Sequence, residues 1–161
     1  MADDPDIAIV ETALGSELYA SAQLLREAVL QTPLGLTLTE AELEDDARRK
    51  HFCAAVRGVV VGAVSLKFLG EAIVQLKQMA VAEDCRGRGI GAQIMAFAEA
   101  WAARQGQQLI VLHARIDAEG FYARFGYDVE GKNFVENTIP HIRMVKRLDR
   151  PFQKAEGDER Q

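Results

Sequence analysis

LKQMAVAEDCRGRGIGAQIMAFAEAWA, residues 76–102, joins a strand-like apolar run to a helical one through Gly87, Gly89 and Gly91, with Arg86 and Arg88 interleaved. On the helical side Ile90, Ile94, Phe97 and Trp101 recur at i, i+4, i+7 and i+11, and Gly106 stands where a C-terminal cap belongs. The first N–H groups of a helix have no partner inside it, and the helix dipole adds partial positive charge there. Removing β-carbons lets an anion approach those donors, and the two arginines add charge on the rim. The stretch reads as a phosphate cradle. A tight strand-to-helix connection would use the same glycines, and spacing alone does not separate the two. No Gly-Lys-Ser/Thr follows, as a nucleotide P-loop requires, and Ala92 stands where a dinucleotide fingerprint needs its third glycine.

Working outward, HFCAAV, VVVGAVSLKF and AIVQLKQMAV are three strand-length apolar segments between His51 and Val81. Arg57-Gly58 and Gly70-Glu71 punctuate them as tight turns, which predicts an antiparallel meander. Before it come a β-prone run at Ile7–Val10 and a helix over Ser16–Leu30, its apolar stripe at Leu18, Ala22, Leu25 and Val29. Pro33 and Gly35 stop that helix. Thr39 and Glu42 have capping-box spacing and open a short polar helix ending near Arg49, read as a solvated surface helix. After the glycine stretch come a strand at QLIVLHA and a short helix from Ala118 to Phe125, begun by Asp117 and stopped by Gly126. Two last strands lie near Tyr127–Glu130 and His141–Leu148. The order is β, α, α, β, β, β, α, β, α, β, β. It predicts an α/β (α+β) fold, with a mixed, mostly antiparallel sheet of about seven strands and four helices. The strands AIVQLKQMAV and QLIVLHA, joined by one crossover helix, become parallel neighbours.

The 161 residues point to a single domain, residues 1–148, and a polar tail at 149–161 read as frayed. Hydrophobic residues make up 48 % and charged residues 27 %, as expected of a soluble globular chain. No apolar run reaches the roughly 20 residues of a membrane span, and the acidic N-terminus lacks a signal peptide's basic region. Cys53 and Cys85 have no metal-ligand spacing and imply no disulfide framework, so a reducing cytoplasm is the expected home. A net charge of −5 argues against nucleic acid as a partner.

The 76–102 stretch resembles motif A of the GNAT superfamily of N-acetyltransferases, Arg/Gln-x-x-Gly-x-Gly/Ala after an apolar strand, with Arg86, Gly89 and Gly91 filling the pattern. AEGFYARFGY, residues 118–127, is similar to the family's second signature, and FVENTIPHIRMVKRL, residues 134–148, to the C-terminal strand of one bacterial branch. The resemblance runs from about Ile7 to Leu148 and implies the GNAT fold, with its central parallel pair splayed. It also implies acetyl-CoA as co-substrate, no metal, and direct transfer of acetyl to a primary amine in a ternary complex. A non-catalytic acyl-CoA-binding module on the same fold is the alternative. By resemblance, Met79, Ala80 and Val81 give backbone contacts to pantetheine. Arg86, Gly87, Arg88, Gly89, Ile90 and Gly91 hold the diphosphate. The acceptor stays open among small-molecule and protein amines, no membrane or nucleic-acid partner is expected, and a homodimer is allowed.

Acetyl transfer needs a neutral amine, a polarised thioester and a proton for the leaving thiolate. Tyr122 sits where the family places its general acid. Phe121 and Phe125, at i and i+4, form the better core pair, which would turn Tyr122 elsewhere. Relatives often carry a glutamate base on the strand of LKQMAV, but here that strand offers Gln75, Lys77 and Gln78. His113 and His141 remain as neutral-pH candidates, against a structural role for each and against proton loss through water. Arg115 replaces the family's usual neutral amide and points to an acidic neighbour. Cys85 reads as a small loop residue, Met95 and Trp101 as helix-face packing, and Glu42, Glu44, Asp45 and Asp46 as a solvated acidic face.

Overall fold

The computed structural model describes residues 6–148, so the reading of 149–161 as a frayed tail lies outside the described residues. The elements are β1 (Ile7–Thr12), α1 (Glu17–Arg26), α2 (Glu40–Asp46), β2 (Arg49–Val56), β3 (Val59–Gly70), β4 (Ile73–Val81), α3 (Ile90–Arg104), β5 (Leu109–Arg115), α4 (Glu119–Ala123), β6 (Asp128–Val129), β7 (Phe134–Glu136) and β8 (Ile139–Arg147). One sheet holds the strands in the order β1-β2-β3-β4-β5-β8-β6, with β7 also on β8. Four helices and a mostly antiparallel sheet match the expectation. The eighth strand, β7, is additional. Phe134–Glu136 folds back on Ile139–His141 through Asn137 and Thr138, both at positive φ (51° and 64°). That two-residue turn uses Thr138 where glycine is the usual signal, so the hairpin is hard to read from sequence.

Arg57 and Gly58 form the β2–β3 turn as expected. The β3–β4 turn is Glu71-Ala72, one residue past the expected site, because Gly70 still pairs with Ile73. Ser16 caps α1, whose α-geometry stops at Arg26 and widens into a π-helical turn at Glu27–Gln31. Pro33, without an N–H, stands in the next short turn and lets the ladder go no further. Thr39 caps α2, accepting the Glu42 amide as the capping-box spacing predicts. Asp117 makes no side-chain cap; a 3₁₀ turn over Ile116–Ala118 leads into α4 instead.

The core lies between α3 and one sheet face. Phe52, Leu66, Val74, Leu76, Ile110 and Leu112 meet Ile90, Ile94, Met95 and Ala98 there, all fully or nearly fully buried. Each large aliphatic side chain so buried contributes about 1.5–3 kcal/mol. Gly62 permits the close approach: a β-carbon on it would lie 2.5 Å from Ile94 Cδ1. Trp101 packs edge-on against Phe52, and Met95 is core, as read from the helix face. The opposite sheet face is more polar and is covered in part by α1, through Ala22 and Leu18 over Cys53 and Ala63.

The acidic face on α2 is a correction. Asp46 is 0 % exposed. It accepts from Arg26 Nη1 at 2.8 Å and from Tyr19 Oη at 2.6 Å, while Arg49 Nη1 lies 3.4 Å from its other oxygen. Its carbonyl accepts from His51 Nε2 at 2.9 Å, and Asp45 pairs with Arg49 and Lys67. Two distant partners, Tyr19 and Arg26, pull the end of α2 inward, and Arg49 then opens β2 rather than closing the helix. Burial alone would raise the Asp46 carboxyl; hydrogen bonds from Arg26 and Tyr19 and the Arg26 charge outweigh it and hold it below its ordinary value. Burial, first, holds the His51 imidazole below its ordinary value. A depressed carboxyl gives stability that is present above the unfolded value of 3.8 and lost as pH falls. A depressed imidazole begins to lose stability earlier, as pH falls below 6.5 and the unfolded chain takes a proton the native ring refuses.

Asp46→Asn leaves two buried guanidinium groups short of their counter-charge and is expected to cost about 3 kcal/mol or more. Urea unfolding at pH 7 checks it. The gap from wild type is expected to narrow as pH falls below about 4, where the unfolded chain's carboxyl takes a proton that the native carboxylate still refuses; a gap under about 1 kcal/mol at pH 7 would show the pair to be dispensable.

Candidate active site

The parallel ladder between β4 and β5 is short. Ile73 faces Leu109 and Leu76 faces Leu112, and there the ladder ends. Beyond it β5 continues with β8 as far as Arg115, while β4 continues with β3 as far as Val81. The two strands fork. On its β5 side, the backbone of Lys77–Val81 therefore has no ladder partner. The splay expected for this pair is present, and it begins five residues before Val81.

A bulge in β4 follows the fork. Ser65 faces Lys77 and Ala63 faces Ala80, so two residues of β4, Gln78 and Met79, oppose the single Val64 of β3, and Gln78 takes φ +58°. Arg49 Nη1 donates to Gln78 Oε1 at 2.9 Å and holds the bulged residue from the α2 side. Met79 and Val81 pack against the α3 core, with Leu76 and Leu112. Lys77 and His113 follow those two core residues and take the opposite face by strand alternation.

The fork opens into one groove of about 820 Å³. From the α3 side it is lined by Met79, Val81, Ala114, Phe121 and Tyr122, and at that end by Arg86; Ala80 also contributes. From the other side come Gln31, Leu34, Glu42, Arg49, Lys77, His113, Glu136 and His141. Of the expected site residues, Met79, Ala80, Val81, Arg86 and Tyr122 meet there. Gly87, Arg88, Gly89, Ile90 and Gly91 lie off the groove's lining, in the turn just past β4 and the first residues of α3.

The turn has the geometry of an anion seat, with its parts doing different work. Gly87 and Gly89 both take φ +79°, which side chains resist, and their amides donate to no group among the described residues. Gly91 serves packing instead: a β-carbon there would lie 3.3 Å from Phe121. Ile90 is a core residue, 1 % exposed, so only its backbone is available. Arg86 Nε donates to the Val81 carbonyl at 3.4 Å, occupying one of the backbone groups expected to meet pantetheine. Cys85 is buried, and burial followed by its contact with Asp84 raises its thiol, so it stays protonated, consistent with a small loop residue.

Tyr122 corrects one expectation. It is 9 % exposed and more buried than Phe121 or Phe125, because α4 presents it to the core edge-on against Phe121 and Tyr127. Phe121 and Phe125 do touch, with rings 5.2 Å apart. The Tyr122 hydroxyl has no hydrogen-bond partner among the described residues, and burial pushes the phenol up to about 12. Tyr127, by contrast, donates to Glu99, which also accepts from Lys146.

On the opposite face, His113 Nδ1 lies 2.9 Å from Glu136 Oε1, and His141 Nε2 lies 4.0 Å from Glu136 Oε2. His141 Nδ1 donates to the Ile139 carbonyl at 2.8 Å. Phe134 sits edge-on to His113 and stacks on His141. Glu136 escaped the sequence reading because it comes with β7, the strand that reading omitted. Arg115 lines the groove near Asp117 but forms no ion pair among the described residues, so the expected acidic partner is not engaged. No group of His, Cys, Asp and Glu among the described residues is arranged to hold a metal. None of the described helices is long and apolar enough to cross a membrane.

The chain matches the family described as "Acetyltransferase (GNAT) domain" over residues 25–148. A Bacillus subtilis protein named as an acetyltransferase is 27 % identical over 128 residues, covering 78 % of this chain and 86 % of that protein. Among solved structures, an N-acetyltransferase from Lactobacillus plantarum superimposes with a TM-score of 0.79 at 23 % identity, over 88 % of this chain and 98 % of that one. An aminoglycoside 6′-N-acetyltransferase complexed with coenzyme A superimposes at 0.75 and 17 % identity, over 91 % and 99 %. Fork, bulge, glycine turn and family match agree: the chain belongs to the GNAT acetyltransferase family and is an N-acetyltransferase.

Proposed function

We propose that the protein moves an acetyl group from acetyl-CoA directly to a primary amine while both are bound, without a metal. The observation that carries this is the fork. Met79–Val81 offers a backbone edge with no ladder partner, touched only by Arg86 at the Val81 carbonyl, at which an extended, amide-bearing pantetheine can act as a short extra strand. The glycine turn lies just past the end of β4, so a diphosphate there and a pantetheine on the edge form one track. Arg86 to Gly91 offset and receive the diphosphate charge, mainly through Arg86, Arg88 and the amides of Gly87 and Gly89. The acyl end then reaches the fork between Tyr122 on one face and Lys77 and His113 on the other, and the amine enters from the second face. Its acceptor is a small-molecule or protein amine, and the cytoplasm is the proposed site of action.

Tyr122 is the proton donor to the leaving thiolate in this scheme. Its phenol, raised by burial, stays protonated throughout the working pH range, and its hydroxyl is committed to no other group. The lack of a carboxylate on β4 favours one rival, a coenzyme-binding module without catalysis. Thiol release with a panel of polyamines, amino acids, aminoglycosides and lysine peptides separates the two, since the module binds acetyl-CoA and turns nothing over.

Two variants test the proposed roles. Gly89→Glu places a carboxylate where the diphosphate is proposed to sit. It is expected to weaken acetyl-CoA at least tenfold in calorimetry, the worth of one or two charge-assisted hydrogen bonds at about 1.5–3 kcal/mol. Because φ at Gly89 is +79°, the exposed Arg86→Glu serves as the unstrained companion. Unchanged affinity in both folded variants sinks the cofactor site.

Tyr122→Phe removes only the hydroxyl. It is expected to lower kcat about 10²-fold or more with little change in the KM for acetyl-CoA. Wild-type kcat is expected to show no basic limb from Tyr122 below about pH 11, given a phenol near 12. Near wild-type turnover in Tyr122→Phe makes the residue structural.

A further inference from the structure

We infer that His113 is the group that takes the acceptor's ammonium proton, with Glu136 as its positioning partner; this rests on the transferase scheme above. The atoms decide the tautomers. A carboxylate only accepts, so the 2.9 Å contact makes His113 Nδ1 the donor to Glu136 Oε1 and leaves Nε2 as the ring's proton acceptor. A backbone carbonyl likewise only accepts, so His141 carries its proton on Nδ1, bound to Ile139, and is fixed as part of the hairpin. Arranging an imidazole by a carboxylate on its far nitrogen is how a histidine base is held in one tautomer and its cationic form is supported.

Position selects His113 over His141. Leu76 and Leu112 are the last ladder pair, so Lys77 and His113 are the first residues past the fork, one on each prong. Both stand on the face away from Tyr122, and both line the groove. His113 is 30 % exposed at its side chain, open enough to meet a substrate and to return its proton to solvent, whereas His141 is at 9 %. Glu136 is pinned by the tight β7–β8 hairpin, where it pairs with Ile139.

The charged groups around His113 are consistent with the role. From β8, Arg143 is its ladder neighbour and is engaged by Glu130 at 2.7 Å. Arg115 lies on its own strand, and His141 and Glu136 come from the hairpin. From β4, Lys77 makes no ion pair among the described residues, while Arg49 and Lys67 are taken by Asp45 and Asp46. A cation on the opposite prong raises the cost of keeping an ammonium at the fork and so favours its deprotonation.

The step balances. Neutral His113 takes one proton from R–NH₃⁺ at Nε2 and later releases it to solvent. The free amine attacks the acetyl carbonyl carbon, the C–N bond forms and the C–S bond breaks. The thiolate takes the Tyr122 proton, and the nitrogen's second proton restores the phenol by way of solvent. Protons enter on one face of the fork and leave on the other.

The test is the pH profile of kcat/KM with acetyl-CoA saturating and putrescine as acceptor, or a faster amine from the panel. Wild type uses the abundant ammonium form, so its profile levels off well below the amine's own ionisation. His113→Gln can use only free amine. It is expected to lose about 10²-fold at pH 7 and then rise tenfold per pH unit up to the amine's own ionisation. Added imidazole is expected to restore activity several-fold to His113→Ala, and Glu136→Gln to lower kcat about tenfold with little change in KM. A His113→Gln profile with the wild-type shape, whether at the wild-type rate or uniformly lowered, overturns the assignment. Wild type that turns over no amine sinks the transferase scheme and this inference with it; active wild type with an unaltered variant sinks this inference alone.

Discussion

The termination of the β4–β5 ladder at Leu76 and Leu112 is the constraint on which the site depends. Four residue pairs tie the two halves of the sheet together, and past them each strand follows its outer neighbour, β4 with β3 and β5 with β8. A strand edge without a partner is normally a cost, since peptide groups must be satisfied by something. Here the edge faces a groove rather than a neighbouring chain segment, and in the proposed scheme the pantetheine arm satisfies it. The crossover helix α3 starts immediately beyond the open edge, so the same connection that makes β4 and β5 parallel also delivers a helix N-terminus to the end of the track.

Opening a sheet needs support on both faces. On one side α3 supplies it with close-packed aliphatic contacts, Ile90 and Ile94 against Leu66 and Leu76. On the other side the support is ionic. Asp46 gathers Tyr19 and Arg26 from α1, Arg49 and His51 from β2, and through Arg49 reaches Gln78 in the bulge. A buried charge network of this kind is seldom more stabilising than a hydrophobic one, but it is directional. It fixes where the bulged residue sits, which packing alone against a polar groove wall would not do.

Much of this was legible because the signals are local. The glycine turn, the α3 stripe and the Phe121-Tyr122 helix each occupy a few consecutive residues, and the order of strands and helices then leaves little freedom in the topology. What stayed hidden depends on partners distant in sequence. Asp46 stands in a run of acids, Glu42 to Asp46, that reads as a solvated face until Arg26, twenty residues earlier, is placed beside it. Glu136 belongs to a three-residue strand whose turn lacks glycine, and only pairing with β8 brings it to His113. The Phe121–Phe125 spacing predicts a Tyr122 turned away from the core; the fold instead packs it between Phe121 and Tyr127 in the core cluster.

The bulge at Gln78 explains how one strand serves both faces of the fork. In a regular strand, side chains alternate, so a residue after Lys77 would face the α3 side, the next the polar side, and Met79 would share a face with Lys77. The extra residue resets that parity. Lys77 and Gln78 both belong to the polar face, the latter through Arg49, while Met79 and Val81 turn to the α3 core and leave their backbone at the edge. Without the extra residue, the methionine and valine would fall on the polar face and Ala80 on the apolar one, and the groove would lose its division into an apolar and a charged wall. A single inserted residue, held by one arginine, thus separates the apolar and polar walls of the groove within one β-strand.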